Sequence, residues 1–275
     1  MKRTNLLLAA GIAIATFAFT SCQKDETTDP MVTLSQDDDQ VTNLYDDVLN
    51  EADDVTLSNN VSRASAQGDY TTVTGSGTRT VVTTYEGDVM VKTITFNNFT
   101  NGNSLNGHVK NGVMIIRVTG GPLQAQFERT ITFQNFTVDG IKIEGEKRVV
   151  KTAEYQYTVT LTGGKVTFED GTTYTREFTR TRTWAEGYNT IGNIADDVYT
   201  VTGTSTGVNR KGYTYTHTIT NPLMIKVACR WIVSGTIEMN VNNNTAILDY
   251  GNGECDNIAT MTKDGKTYEF KLRWK

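Results

Sequence analysis

The fold of this chain is decided by the stretch Thr175-Arg-Glu-Phe-Thr-Arg-Thr-Arg-Thr-Trp184. Successive side chains of an extended strand point to opposite faces. One face of this stretch therefore carries Thr175, Glu177, Thr179, Thr181 and Thr183, and the other carries Arg176, Phe178, Arg180, Arg182 and Trp184. A strand of a two-sheet sandwich has one uniformly apolar face. The mixed pattern predicts a broad, twisted sheet with much of one face in water, or alternatively a barrel with a semi-polar interior.

Strand-like alternation extends from about residue 69 to the end of the chain. Runs rich in Thr, Val, Ile and Tyr are separated by pairs such as Asn111-Gly112 and Asp139-Gly140, which supply the positive φ of tight hairpin turns. Hairpins in series form an antiparallel meander. Residues 61–275 are therefore predicted to be one all-β domain, a large antiparallel twisted sheet or open half-barrel, with a long loop at 185–197.

One strand-like segment occurs twice. Residues 92–100 (Lys-Thr-Ile-Thr-Phe-Asn-Asn-Phe-Thr) match residues 129–137 at seven of nine positions. Two copies are too few for a solenoid or a propeller. The repeat therefore predicts equivalent strands of a duplicated hairpin unit.

Residues 35–57 are predicted to form one amphipathic helix before the sheet. Its apolar residues recur at intervals of three and four, which places them on one stripe. They are Val41, Leu44, Tyr45, Val48, Ala52 and Val55. Ser35 is expected to cap the first turn, and residues 37–39, all Asp, to be solvated at the helix start. The stripe is expected to cover one face or the open end of the sheet.

The first residues have the pattern of an export signal. Met1-Lys2-Arg3 precedes an uncharged run, Leu6 to Phe19, that is too short to span a bilayer, and small residues then lead to Cys22. The pattern is typical of a bacterial lipoprotein signal over residues 1–21, after which Cys22 is lipidated. Residues 22–34 are then an acidic tether. Its start, Gln23-Lys-Asp-Glu26, resembles the surface-export signal of Bacteroidetes lipoproteins, so we expect a lipid-anchored protein of the outer membrane that is exposed at the cell surface.

Charge is distributed unevenly along the chain. Residues 25–54 contain eleven of the 31 acidic residues and no Lys or Arg, whereas 23 of the 26 Lys and Arg residues lie from Val61 onward. The predicted sheet domain is therefore close to neutral and shows no concentrated basic patch. This distribution argues against a nucleic-acid-binding protein.

Two cysteines remain once Cys22 is assigned to a lipid. Cys229 and Cys255 form an even pair in an oxidising compartment, which favours a disulfide. The alternative is two unpaired cysteines, each buried as a small apolar residue.

Three groups of residues are candidates for a binding site. Tyr213, Tyr215 and His217 share one strand face, as do the side chains of Arg180, Arg182 and Trp184, and such aromatic and basic surfaces suit a glycan. Cross-strand packing explains the same pattern. The loop with Asp249, Glu254 and Asp256 is a weak calcium candidate, and a hairpin turn pinned by Cys255 explains it equally well. No catalytic motif or metal-ligand spacing is present, so we expect neither an enzyme nor a cofactor.

The C-terminal half resembles a known group of proteins. The residues that carry the resemblance are Arg182-Thr-Trp184, Val198-Tyr-Thr-Val-Thr-Gly203, Asn221-Pro-Leu223, Cys229-Arg-Trp-Ile-Val-Ser-Gly235, Asp249-Tyr-Gly251, Glu254-Cys-Asp256 and Asp264-Gly-Lys266. With the Cys22 signal and the acidic helix, the chain resembles uncharacterised Bacteroidetes lipoproteins. The resemblance implies an outer-membrane lipoprotein with an antiparallel β body and paired cysteines, and it implies no activity.

Three function classes follow. The first is a non-enzymatic surface protein, attached to the membrane through Cys22, that binds a glycan or an envelope protein or has a structural role. The second is a carrier of an apolar ligand, which needs a concave apolar face behind Val41, Leu44, Val48 and Val55. The third is a glycan-directed hydrolase, which needs carboxylates that converge in a cleft with perturbed pKa values.

Overall fold

A single antiparallel sheet and one helix make up this computed structural model, which describes residues 29–57, 69–74, 77–100, 107–190 and 193–273. The helix α1 spans Pro30–Leu57. The strands are β1 (Tyr70–Thr74), β2 (Gly77–Glu86), β3 (Val89–Thr100), β4 (Val109–Thr119), β5 (Glu128–Val138), β6 (Ile141–Ala153), β7 (Gln156–Thr167), β8 (Thr173–Glu186), β9 (Val198–Val208), β10 (Thr214–Lys226), β11 (Ile232–Val241), β12 (Asn244–Asn252), β13 (Ile258–Lys263) and β14 (Lys266–Lys271). A short 3-10 helix, Ile194–Asp196, lies in the predicted loop between β8 and β9.

The strands follow one another in an open meander. Each strand pairs with the next along the chain, and β1 and β14 are the two edges of the fourteen-stranded sheet. The predicted all-β antiparallel sheet with one N-terminal helix is therefore confirmed, and the sheet is not closed into a barrel. The signal, Cys22 and the tether before Asp29 lie outside the described residues.

The helix begins five residues earlier than the sequence pattern predicts. The Asp29 carboxylate accepts a hydrogen bond from the Met31 backbone N–H at 2.8 Å, and Pro30 occupies the first helical position. Both features favour a helix start, because Asp is a good cap and proline needs no hydrogen-bond partner there. Ser35 is not the cap. It lies inside the helix, where its Oγ donates to the Met31 carbonyl at 2.9 Å.

The sheet encloses α1 instead of lying against one stripe of it. Between Met31 and Thr56 every helical residue is buried or half-buried. Ser35 Oγ lies 3.2 Å from Met239 Sδ of β11, and Tyr45 Oη donates to the Glu144 carbonyl of β6 at 2.8 Å. The prediction that residues 37–39 are solvated was wrong, because these three carboxylates are buried under the sheet.

Bulges allow the sheet to curve around the helix. Register shifts interrupt most strand pairs, and a bulge bends its strand and increases the local twist. Gly203 of β9 has φ +132°, and a Cβ there would lie 2.6 Å from the Thr179 carbonyl oxygen. Gly235 of β11 has φ +108°, and a Cβ there would lie 2.4 Å from the Pro222 carbonyl oxygen. Only glycine permits these close approaches.

The repeated segments are β3 and β5, which flank β4. Asn98 and Asn135, at matching positions of the two copies, both have positive φ, at 45° and 48°. Each sits at a register shift of its strand. The repeat therefore encodes the same bulged strand twice.

A disulfide joins Cys229 to Cys255, as the sequence predicts, with a sequence separation of 26 residues. It ties the end of β10 to the loop between β12 and β13. Within the described ranges, no helix is long and apolar enough to cross a membrane.

Candidate functional site

Most of the predicted ligand surface lies in the interior, facing α1. Arg180, Arg182 and Trp184 of β8 and Tyr215 and His217 of β10 are all buried. Tyr213 precedes β10 and is 46% exposed. These residues therefore do not form one exposed aromatic and basic surface, and this part of the prediction was wrong. Their strand face is the one that packs on the helix.

Acidic side chains of α1 pair with basic side chains of the concave sheet face. The pairs are Asp37–Arg210 at 3.3 Å, Asp46–Lys147 at 3.5 Å, Asp47–Lys110 at 3.0 Å, Glu51–Lys110 at 2.6 Å, Glu51–Arg79 at 2.6 Å, Asp54–Arg79 at 2.8 Å, Asp53–Arg129 at 2.5 Å, and Asp38–Arg176. Buried charges are tolerated when they are paired and hydrogen-bonded. The uneven charge of the sequence therefore has a structural cause, because the helix supplies the counter-ions of the sheet.

Asp38 is the most heavily engaged carboxylate. Its Oδ1 accepts hydrogen bonds from Arg176 Nη2 and from Tyr174 Oη, the latter at 2.7 Å. His217 Nδ1 lies 3.0 Å from the same oxygen, without the alignment of a hydrogen bond. Burial alone raises the pKa of Asp38, but Arg176 and His217 outweigh burial and hold this pKa well below its usual range.

Asp39 lies in the same helical turn and has no cationic partner within hydrogen-bond range among the residues that the structure describes. Its Oδ2 accepts a hydrogen bond from Asn43 Nδ2 at 3.0 Å, and its Oδ1 is buried without a partner among the described residues. Burial and the neighbouring Asp38 charge raise the pKa of Asp39 well above its usual value. The raised pKa favours the neutral form of Asp39, because an unpaired negative charge in the interior is costly.

A cavity of about 30 Å³ remains between α1 and the centre of the sheet. Its polar lining consists of Thr42, Asp46, Asn50, Lys147, Arg180 and Arg182. Lys147 Nζ donates to the Tyr45 carbonyl at 2.7 Å and lies 3.5 Å from Asp46 Oδ1. Arg182 Nη1 lies 3.8 Å from Asp53 Oδ2. Three cations thus line the cavity with one carboxylate.

The pKa values of the cavity cations reflect this excess of positive charge. Burial, together with the nearby Arg182 and Arg180, lowers the pKa of Lys147 to about 8, although Asp46 opposes the shift. Burial and Arg176 also lower the pKa of Arg180. Arg180 lies over the Phe178 ring at 4.6 Å, and its Nε has no hydrogen-bond partner in the described part of the chain.

The concave surface offers little room to an apolar ligand. Val41 and Val48, behind which a carrier cavity was expected, are completely buried against the sheet. The helix side chains themselves fill the space that such a ligand would need.

One carboxylate with a raised pKa lies near the loop between β8 and β9. Burial raises the pKa of Asp197 to about 6. Trp184 Nε1 donates to its Oδ1 at 3.0 Å, and Tyr199 Oη donates to its Oδ2 at 2.9 Å. The neighbouring carboxylate, Asp53, binds Arg129. Both carboxylates therefore bind structural partners. Trp184 binds Asp197, at the end of the loop between β8 and β9.

Of the weak calcium candidates, Asp249 is half-buried near the end of β12, and Glu254 and Asp256 lie in the loop between β12 and β13. Asp249 Oδ1 accepts a hydrogen bond from the Gly251 N–H, and Asp256 Oδ1 accepts one from the Ile258 N–H, both at 2.8 Å. Glu254 is exposed. Among the described residues, no three His, Cys, Asp or Glu side chains are arranged to hold a metal ion. The hairpin-turn explanation accounts for this loop.

The convex face of β7–β10 carries rows of threonines, which we call the threonine face. Its members are exposed or half-buried: Thr158, Thr160, Thr179, Thr181, Thr183, Thr200, Thr202, Thr204, Thr206, Thr216 and Thr218. They align across strands, as in the row formed by Thr160, Thr179, Thr204 and Thr218. The predicted water-facing side of the sheet is therefore present.

A shallow depression of about 340 Å³ lies on the threonine face. Its polar lining includes five threonine hydroxyls and one carboxylate. These belong to Thr160, Thr162, Thr179, Thr204 and Thr206, and to Glu177. Glu177 Oε1 accepts a hydrogen bond from the Gly163 N–H at 2.7 Å. The depression therefore presents neutral hydrogen-bonding groups to solvent.

The sequence contains a signal for the interior charge network that periodicity alone does not reveal. Arg176, Arg180 and Arg182 share a strand face with Phe178 and Trp184, opposite the threonines. Basic residues on the apolar face of a strand need buried counter-ions. The acidic segment 25–54 is the clearest source of such counter-ions in the chain.

Compared with protein-family models, with curated proteins and with solved structures, the chain has no significant match.

Proposed function

We propose that this chain is a non-enzymatic lipoprotein of the outer membrane, anchored through Cys22, that binds a neutral glycan on its threonine face. The observation that carries the proposal is the hydroxyl-lined depression at Thr179 and Thr204. Hydroxyl groups both donate and accept hydrogen bonds, as sugar hydroxyls do. Threonine methyl groups add apolar contact area for the faces of sugar rings.

The regular spacing of the threonine face supports a polymeric ligand. Neighbouring strands are about 4.8 Å apart and alternate residues of one strand about 6.6 Å apart, so the hydroxyls form a two-dimensional array. The array is almost free of charge, which disfavours acidic glycans. The concave face is occupied by α1, so the convex face is the broad surface that remains for a partner.

Removal of hydroxyls from the depression tests the glycan proposal. The full-length chain in detergent is applied to an array of neutral polysaccharides, beside the variant Thr179→Ala/Thr204→Ala. We expect the variant to bind about tenfold more weakly, since each lost hydrogen bond contributes roughly 0.5–1.5 kcal/mol. Affinity for the best polysaccharide is then measured by titration.

A matched control removes a similar threonine pair elsewhere. Thr262 and Thr267 are exposed cross-strand neighbours on β13 and β14, with their hydroxyls 2.9 Å apart. The variant Thr262→Ala/Thr267→Ala is expected to bind like the unchanged chain. Equal losses in both variants, or no binding of any neutral polysaccharide, would contradict the proposal.

Substitution of the anchor residue tests the membrane attachment. In cells that express Cys22→Ala, we expect the protein to move from the membrane pellet to the soluble fraction, because stable anchoring requires acyl chains. Fractionation and immunoblotting measure the distribution. The variant Ser21→Ala, one residue earlier, is the control and should stay in the membrane. Continued membrane retention of Cys22→Ala would rule out the lipid anchor.

A further inference from the structure

The cavity between α1 and the sheet is lined by Arg180, a buried cation without a carboxylate partner among the described residues. We infer that this cavity binds a small monocarboxylate, of about acetate size, through Arg180 and Arg182. No ion pair joins Arg180 to a carboxylate within the described ranges, and the side chain is only 9% exposed. A buried, unpaired charge is costly, so a bound anion would be strongly favoured.

The cation geometry favours a carboxylate over a spherical anion. A guanidinium group presents its donors in a planar fork that matches the two oxygens of a carboxylate. Both Arg180 and Arg182 line the cavity, and Lys147 adds a third positive charge. Asp46 is the one acid in the lining and already lies near Lys147. Arg182 lies 3.8 Å from Asp53, so Arg180 is the lining cation without a carboxylate partner among the described residues, and one monoanion supplies its counter-charge.

The walls of the cavity set the character and size of the rest of the ligand. They are formed by Leu49, Val159, Val201, Leu223, Ile225 and Ile232. Apolar walls with a few convergent polar groups are the usual lining of a small-molecule site. The cavity volume of about 30 Å³ exceeds what one water needs, about 10–15 Å³, by roughly a factor of two. An acetate ion is close to the size of two waters and fits this space, and a longer acyl chain does not.

Ligand-dependent stabilisation of the full-length chain tests the inference. Thermal unfolding in detergent is followed with sodium acetate and with sodium chloride at the same ionic strength. A ligand that binds only the folded chain raises Tm with concentration. We expect acetate to raise Tm well beyond the effect of chloride, and sodium dodecanoate below its micelle concentration to have no such effect.

Two variants of Arg180 locate the effect. Arg180→Met keeps most of the side-chain volume and removes the charge, so it should fold and lose the acetate-dependent shift. Arg180→Lys keeps the charge without the planar fork, and its affinity for acetate should fall about tenfold or more. Arg148→Met is the matched control. Arg148 is exposed and pairs with Glu128, so its replacement should leave the acetate shift unchanged.

Isotope-labelled acetate gives a readout independent of stability. The carboxyl ¹³C resonance should broaden in the presence of the unchanged chain and remain sharp with Arg180→Met. Equal Tm shifts with chloride would show selection for charge alone and overturn the carboxylate assignment. A shift retained by Arg180→Met, or no shift with the unchanged chain, would overturn the site. None of these outcomes depends on the threonine face, so the two proposals can fail separately.

Discussion

Replacement of Asp38 by alanine is expected to lower the free energy of unfolding by about 3–5 kcal/mol. The substitution leaves Arg176 charged in the interior, and removal of one partner from a buried ion pair typically has a cost of this size. Arg176 is completely buried, and the other acceptors of its hydrogen bonds are neutral: the Thr42, Tyr174 and Tyr215 hydroxyls and the Asp38 carbonyl. Urea unfolding of the full-length chain, followed by tryptophan fluorescence, measures the change.

The exposed pair between Arg148 and Glu128 provides the control for this prediction. Both side chains are more than two-fifths exposed, at 45% and 42%, so Glu128→Ala should change the stability by at most about 1 kcal/mol. The double variant Asp38→Leu/Arg176→Met removes both charges and should recover most of the loss. Equal stabilities of Asp38→Ala and Glu128→Ala would contradict the role assigned to the buried pair.

The effect of Asp38→Ala should also depend on pH. Arg176 and His217 hold the folded-state pKa of Asp38 below its value in the unfolded chain, which is about 3.9. A lowered pKa contributes stability that is present above the unfolded pKa and is lost as pH falls toward the folded pKa. The difference between the unchanged chain and Asp38→Ala should therefore be largest near neutral pH and shrink below about pH 4.

The sheet could be predicted because its signals are local. Alternation of period two in residues 175–184 and the Gly-containing turns each depend on a few neighbouring residues, and the structure has antiparallel strands there. The repeat at 92–100 and 129–137 likewise predicted equivalent strands. The disulfide was predicted from the number of cysteines and the expected oxidising compartment.

The helix surroundings could not be predicted because they depend on distant parts of the chain. Tyr45 contacts a carbonyl 99 residues away, and Asp38 pairs with a cation 138 residues away. Apolar residues at three- and four-residue spacing indicate one buried stripe. They give no indication that the opposite, acidic side of the helix is buried as well.

The wrong prediction of an exposed ligand surface at Arg180 and Arg182 also arose because one sequence pattern fits two arrangements. Arg180 and Arg182 alternate with threonines, a pattern that fits either an exposed basic surface or a buried face with counter-ions. The sequence cannot decide between them without knowledge of what packs on the strand. In the structure the acidic helix packs there, so the arginines point inward and the threonines outward.

Deletion of residues 30–57 is expected to prevent the sheet from folding, although every strand remains in the chain. The deletion exposes a concave face that carries apolar residues and cations such as Arg79 and Lys110, whose partners lie on the helix. Burial of one large apolar side chain contributes about 1.5–3 kcal/mol. The helix buries Val41, Leu44, Val48 and Leu49 among others, so its loss removes an amount comparable with the whole stability of a domain, about 5–15 kcal/mol.

Addition of the helix as a separate peptide distinguishes a missing core element from a damaged chain. The deleted protein alone should show no cooperative unfolding transition and a weak near-ultraviolet circular dichroism signal. A synthetic peptide of residues 29–57 should restore both, because it supplies the apolar surface and the counter-ions together. The same peptide with Asp38→Ala and Glu51→Ala should restore them poorly, since it leaves Arg176, Arg79 and Lys110 without their main partners. A deleted protein that unfolds cooperatively without any peptide would show that the sheet does not need the helix as its core.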